Sequence, residues 1–249
     1  MTPEAFHVRT FGSARGPVGL WLHGWLGYGG DGEALADHLG MRLRCPDLPG
    51  HGRTPMRDWT MRKAVEAVTG LAGGCDWAGG YSMGARILMM AASAAPERFG
   101  PLVLESGFPG YSTAEDRGDR RELDASRAAE LKKTGLEAFC RDWYANPMWG
   151  GMAAPSRMGN PRELADALER FGSGRQPDLT SWLRHTSHPI LWLAGAGDTA
   201  YADRAEWIRA RTRHRVAVLD AGHAVHRVCP REWARQVRHF LTACNPKEQ

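Results

Sequence analysis

Two kinds of apolar pattern alternate along this chain. In the first, three or more apolar residues follow one another directly, as in VGLWL (18–22), LVLES (102–106), PILWLAG (189–195) and RVAVLD (215–220). Such runs read as strands, those at 18–22 and 102–106 as buried ones, and RLRC (42–45) as a plausible further strand. In the second, apolar residues recur every three or four positions. GEALADHL (32–39), MRKAVEAVTGL (61–71), MGARILMMAASAA (83–95), DRAEWIRARTR (203–213) and PREWARQVRHFLTAC (230–244) follow this helical rule. Pro96 closely follows the third of these, and Pro230 lies in the first turn of the last, both places where proline is tolerated. CDWAGGYS (75–82) is expected to be a strand from its position, although it is glycine-rich and lacks β-branched residues. DLPGHGRTP (47–55) is dense in turn formers and reads as a loop. Alternating strands and helices predict an α/β fold, a mostly parallel sheet with helices on both faces.

The alternation stops between Tyr111 and about His188. EDRGDRRELDASRAAELKKT is charged and helical in composition, and GLEAFCRDWYANP reads as a helix stopped by Asn146-Pro147. No strand is expected there. The predicted organisation is a core of residues 1–110 and 189–249, with residues 111–188 as a helical cap over one end of the sheet. The cap is an insertion after strand 102–106, not an independent domain.

Composition narrows the function classes. At 249 residues the chain is long enough for one sizeable core. No apolar run approaches the ~20 residues of a membrane-spanning helix, so no membrane insertion is expected. MTPEAFHVRT lacks the basic-then-apolar pattern of a secretory leader, and the five scattered cysteines form no CxxC pair. Reduced thiols and a cytoplasmic location are the expectation. The net charge of +4 is mild, and no basic run is interleaved with aromatics, which disfavours a nucleic-acid partner. The densest basic patch, RGDRR (117–121), contains an acid and suits a small anionic ligand better than a phosphate backbone. HEXXH and GxxxxGK[ST] are absent, so neither a metal nor any other cofactor is expected. Oligomeric state is not legible here.

Chemistry concentrates at GYSMGAR (80–86). A serine between glycines two positions away on each side fits a sharp turn from strand to helix, where only small neighbours are tolerated. Such a serine needs a histidine to take its proton and a carboxylate to fix that histidine's tautomer. Asp198 in GAGD and His223 in AGH each follow a predicted strand, in the chain order serine, acid, histidine. Their rivals are Asp220, which ends a strand, Asp203, which is expected to start a helix, and His226, a group outside the triad or on the surface. His51 reads as a packing or hydrogen-bonding loop residue. Oxyanion donors are expected at the backbone N–H of Met83, which opens a helix, and of Trp25, in the loop after VGLWL. Arg86 lies one helical turn beyond Ser82, on the same face.

LHGWLG (22–27), DLPGHGRT (47–54), GYSMGAR, AGAGD (194–198) and AGH (221–223) together resemble the α/β-hydrolase superfamily over nearly the full chain. A narrower resemblance, carried by GYSMGAR, LESGFPG (104–110), AEDRGDRRELD (114–124), FCRDWYANPMW (139–149) and GHAVH (222–226), is to the MenH family. That resemblance implies a lyase of menaquinone biosynthesis. Its members eliminate pyruvate from a cyclohexene that carries a succinyl ketone, a ring carboxylate and an enolpyruvyl ether. Ser82 would then act as a base rather than a nucleophile, with no covalent intermediate and no cofactor. The three carboxylates of such a small anionic substrate call for cations. Arg86 and Arg120 match family positions; a third falls at Arg157 or, if the alignment slides, at Arg170. Trp143 and Tyr144 match the family's WY pair and would pack on the ring, and Tyr81 would lend its hydroxyl. Three features depart from the family pattern: a glycine-rich GYGGDGEAL loop, no lysine after Asp198, and a short cap.

Two other functions use the same residues. One is a carboxylesterase or acyl hydrolase acting on an anionic ester, with Ser82 as covalent nucleophile. The other is a non-catalytic ligand sensor on a hydrolase scaffold.

Overall fold

Seven strands form one sheet in the computed structural model, which describes residues 5–13 and 16–244. The elements run β1 (Val8–Phe11), β2 (Val18–Leu22), α1 (Gly32–Leu39), β3 (Arg42–Pro46), α2 (Met61–Ala72), β4 (Trp77–Tyr81), α3 (Met83–Ala94) and β5 (Leu102–Glu105). They continue with α4 (Ala114–Thr134), α5 (Leu136–Tyr144), α6 (Pro161–Phe171), α7 (Thr180–His185), β6 (Ile190–Gly195), α8 (Thr199–Arg211), β7 (Arg215–Leu219), α9 (Val225–Val228) and α10 (Pro230–Cys244). The strand order is β1-β3-β2-β4-β5-β6-β7, parallel throughout except for β1. This is the α/β-hydrolase fold.

Successive side chains on a strand face opposite sides of a sheet, and the buried residues sort accordingly. Leu20, Leu22, Leu102, Leu104, Ile190 and Trp192 pack with α2, α3 and α8 on one face. Trp21, Leu43, Trp77, Val103, Leu191 and Leu193 pack with α1 and α10 on the other. The glycines of β4 have a steric cause. A Cβ at Gly79 would come within 2.8 Å of the Trp21 ring, so the strand yields its own side-chain volume to neighbouring indoles. That is why β4 carries no β-branched residue.

Two boundaries differ from expectation. VRTF was not legible as a strand: it is a four-residue antiparallel edge, half-exposed and without a clean alternation. α8 begins at Thr199, so Asp203 lies inside the helix rather than at its start. Its first four residues, TAYA, carry no apolar periodicity to announce it.

Between β5 and β6 the described chain adds helices and no strand. α4 is capped by the Thr113 hydroxyl, which accepts from Asp116 N–H at 3.0 Å. Its only buried residues, Asp124, Ala128 and Leu131, fall at four- and three-residue spacing, and α4 packs along α6. α6 starts at an Asn160 cap followed by Pro161. Several polar contacts tie this segment to the sheet. Trp25 Nε1–H donates to Leu164 O at 2.8 Å, Arg157 pairs with Asp31 at 2.9 Å, and His223 N–H donates to Met148 O at 2.8 Å. Among the described residues all five cysteines are free, and no helix is long and apolar enough to cross a membrane.

Candidate active site

Ser82 joins β4 directly to α3 with φ 51° and ψ −109°, a left-handed backbone that costs a non-glycine residue on the order of 1–3 kcal/mol. The surroundings over-determine this strain. Ser82 N–H donates to Glu105 O on β5 at 2.8 Å. The flanking glycines let backbones close in: a Cβ at Gly84 would lie 2.3 Å from Leu22 O, and one at Gly80 would lie 2.7 Å from the Ala85 nitrogen. The turn thus holds the serine above the carboxyl edge of the sheet, with the N-terminus of α3 beneath it.

His223 and Asp198 arrive from the ends of β7 and β6. Asp198 Oδ2 accepts from His223 Nδ1 at 2.6 Å, and His223 Nε2 lies 3.0 Å from Ser82 Oγ. A carboxylate accepts only, so Nδ1 carries the proton and the Nε2 lone pair faces the serine hydroxyl. Asp198 and His223 are both buried. The imidazole is walled by Tyr201 at 4.6 Å, Tyr81 at 5.4 Å and Trp149 at 5.5 Å between ring centroids. Its backbone is fixed too, because Ser106 Oγ donates to His223 O at 2.7 Å. The rivals lie elsewhere. Asp220 is exposed at the end of β7, and Asp203 is exposed on α8. His226 is not a surface group: it is buried, its ring 4.8 Å from that of Tyr81, and Nδ1–H donates to fully buried Glu105 at 2.7 Å.

The loop after β2 lies against the elbow, since a Cβ at Gly24 would come within 3.4 Å of Ser82 Cβ. Two neutral histidines hold it. His23 Nε2 accepts from Leu48 N–H at 2.9 Å, which leaves Nδ1–H to donate to Gly24 O. His51 Nε2 accepts from Leu26 N–H at 3.3 Å. Burial pushes both imidazoles down, His51 to about 3, so neither charges at neutral pH. Asp47 anchors the facing loop, accepting from Arg9, Gly29 N–H and Arg53 N–H. Trp25 therefore sits in a fixed loop beside Ser82. Met83 N–H is the first of α3 and has no intrahelical acceptor.

Arg86 is 7% exposed and donates to Gln176 Oε1 at 3.1 Å. No carboxylate lies within ion-pair distance of it among the described residues. Burial lowers it to about 10, opposed mainly by Tyr201. Arg120, on α4, donates to Asp124 at 2.8 Å and lies in the field of Tyr201, Tyr111 and Arg86. Arg157 and Arg170 go to different places. Arg157 is nearly buried, donating to Asp31 at 2.9 Å and to the Tyr144 hydroxyl at 3.0 Å. It lines a small enclosed space with Gly24, Trp25 and Tyr81. Arg170 is exposed and donates to the backbone oxygens of Arg57 and Trp59. Trp143 stacks edge-on against Trp25 at 5.5 Å and lies under Arg127. Tyr144 is buried against Trp149. Burial raises the Tyr81 hydroxyl well above its ordinary value, so it stays protonated.

Sequence reasoning missed Gln176, Glu105, Tyr201 and Arg204. Gln176 sits outside any periodic segment, yet it bridges Arg86 and Phe108 O. Arg204 lays its guanidinium 4.0 Å over the Phe108 ring. Arg204 lies six residues after Asp198, which is not one face of a helix, so no local spacing flagged it.

A model of the alpha/beta hydrolase family matches residues 20–236. The chain belongs to the alpha/beta hydrolase family. This hydrolase-family chain is 30% identical over 244 residues to the 2-succinyl-6-hydroxy-2,4-cyclohexadiene-1-carboxylate synthase of Pectobacterium atrosepticum, covering 91% of this chain and 95% of that protein. The synthase of Escherichia coli O1:K1 is 31% identical, over 86% and 91% of the two chains. Among solved structures, MenH from S. aureus superposes with a TM-score of 0.84 at 25% identity, covering 98% of this chain and 99% of that one. A thermophilic esterase from Thermogutta terrifontis, solved with malate bound, shares the fold at a TM-score of 0.71 and 20% identity, over 96% and 93%. This hydrolase-family member is an enzyme of the MenH type.

Proposed function

We propose that this enzyme is a carbon–oxygen lyase that eliminates pyruvate from 2-succinyl-5-enolpyruvyl-6-hydroxy-3-cyclohexene-1-carboxylate. The observation that carries the proposal is Arg86: a buried cation one turn beyond Ser82, held by an amide and unmatched by any described carboxylate. An ester hydrolase for neutral substrates has no use for such a charge. A substrate with three carboxylates does, and each charge-assisted pair would contribute roughly 1.5–3 kcal/mol.

Ser82 Oγ removes the ring proton α to the succinyl carbonyl while His223 Nε2 takes the serine proton. Asp198 stabilises the imidazolium and holds its orientation. The carbonyl becomes an enolate, and the N–H groups of Met83 and Trp25 are aimed at its oxygen. As the enolate collapses, the ring double bond becomes a conjugated pair and the C–O bond to enolpyruvate breaks. The leaving enolate takes a proton, returned through His223, and tautomerises to pyruvate. Arg86, Arg120 and Arg157 receive the carboxylates, Trp143 and Tyr144 bound the ring, and Tyr81 adds its hydroxyl. Residues 111–188 act as the cap, which brings Arg120 and Gln176 over the sheet's carboxyl edge.

The test is pyruvate release from enzymatically generated substrate by wild type, Ser82→Ala and Arg86→Ala. Rapid release that collapses in both variants supports the lyase. Failure of folded wild type to release pyruvate, combined with burst turnover of p-nitrophenyl esters through a covalent Ser82 adduct, would replace it with the hydrolase. Tight binding of the substrate without turnover of either compound would point to a sensor.

A further inference from the structure

RGDRR in α4 serves two sites. Helical spacing sets Arg120 and Arg121 about 100° apart around α4: Arg120 lies in the field of Arg86 and Tyr201, while Arg121 and Arg117, one turn back, border a separate basin. Arg117 and Arg121 line an open basin of about 650 Å³, together with Arg170 from the end of α6 and Arg175 just beyond it. No Asp or Glu is among the basin's lining residues, and none of the four arginines lies within ion-pair distance of a carboxylate among the described residues.

The four guanidinium groups are held in place. Arg117 donates to Tyr111 O at 2.8 Å, Arg121 to Gly174 O at 3.4 Å, Arg170 to Trp59 O at 3.0 Å, and Arg175 to Glu169 O at 2.5 Å. Each such bond uses one of five N–H donors and neutralises no charge, so the remaining donors stay free for an incoming acceptor. Side chains already anchored also lose less rotamer entropy when they bind. Between the arginines the basin is lined by Trp59, Met61, Pro177 and one buried amide. Gln176 is 1% exposed, lines the basin, and on its other side accepts from Arg86.

We propose that this basin is a second anion-binding site, separate from the catalytic centre, for a small polyanion bearing two or more phosphoryl or carboxylate groups. One oxyanion matches one or two guanidinium forks; four converging from three segments match several. The volume is that of a small-molecule site, not of a macromolecular footprint.

Inorganic pyrophosphate is the probe, with binding to the full chain followed by calorimetry at low salt. Three proteins are compared with wild type: Arg121→Ala/Arg170→Ala/Arg175→Ala, the charge-matched Arg62→Ala/Arg209→Ala/Arg235→Ala, and Arg86→Met. Arg121→Glu alone replaces the triple variant if the latter melts early. The expected result is saturable binding of about one pyrophosphate per chain, weakened at least about tenfold in the basin variant and by less than about threefold in the other two. Equal weakening in the charge-matched variant would reduce the effect to bulk charge and overturn the site. Loss in Arg86→Met with retention in the basin variant would place the anion at the catalytic centre instead. Absence of saturable binding by wild type would also overturn it. None of these outcomes depends on the lyase activity, because the readout is binding alone.

Discussion

Replacing Arg86 by methionine should move stability and activity in opposite directions. In the folded chain burial lowers the guanidinium from its ordinary value to about 10. Because the folded value lies below the unfolded one, the charged form is penalised by folding at every pH below about 10. The penalty fades only as pH rises above that value. At neutral pH the wild type carries a penalty on the order of 3 kcal/mol. Methionine removes that cost and fills similar volume. Against this gain stands Gln176 Oε1, which loses the donor at 3.1 Å, worth roughly 1–3 kcal/mol when buried and unmatched. The net expectation is a variant as stable as wild type or up to about 2 kcal/mol more stable, which raises Tm by as much as about 4–8 °C for a chain of this size. Its kcat/KM for pyruvate release should nonetheless fall by about 10- to 150-fold, the loss of one carboxylate contact. Thermal melts and a coupled pyruvate assay on the same preparations decide it. An arginine buried for structure and paired with a carboxylate would behave differently, losing about 3–5 kcal/mol on truncation. A Tm fall of more than about 4 °C, or an unchanged kcat/KM, would refute the assignment of Arg86 as a cation waiting for substrate.

Two further perturbations test the frame around the site. Gly84→Ala places a methyl 2.3 Å from Leu22 O and 2.6 Å from His23 O, and should cost about 1–3 kcal/mol in urea unfolding together with most of the activity. Gly70→Ala, which meets nothing within 4 Å on the exposed side of α2, should be neutral or mildly stabilising; equal losses in the two would remove the steric argument. Acid should weaken the fold through the loop histidines. His51 stays neutral in the folded chain down to about pH 3, but charges near 6.5 when unfolded. Stability is therefore complete above pH 6.5 and declines below it, by about 2 kcal/mol at pH 5 from His51 alone. Urea midpoints at pH 7 and 5 measure the decline. Histidine ring resonances should show the neutral form of His51 at pH 5, and a protonated ring there would contradict the burial.

The carboxyl edge of the sheet was legible because each of its parts is local. VGLWL, LVLES and PILWLAG announce buried strands by unbroken apolar character. GYSMGAR carries the small neighbours that a strand-to-helix turn requires within five residues. Asp198 and His223 each follow a strand that the pattern reveals, so their shared edge follows from parallel connection alone. Arg86 could be placed on the face of Ser82 because helical spacing is a local rule. What the sequence did not contain was the identity of partners from distant segments. Arg157 and Arg170 are equal candidates along the chain; only packing sends one to Asp31 and Tyr144 and leaves the other on backbone oxygens at the surface. His226 carries no mark of its buried bond to Glu105, 121 residues away. Gln176 has no periodic context, and its importance comes wholly from Arg86, 90 residues earlier. The double use of RGDRR is decided in the same way. Helix geometry points Arg120 and Arg121 in different directions, but that one meets Arg86 and Tyr201 and the other the end of α6 is set by how α4 packs on distant segments. Backbone conformation answers to neighbours in the chain, whereas the pairing of buried charges answers to neighbours in space.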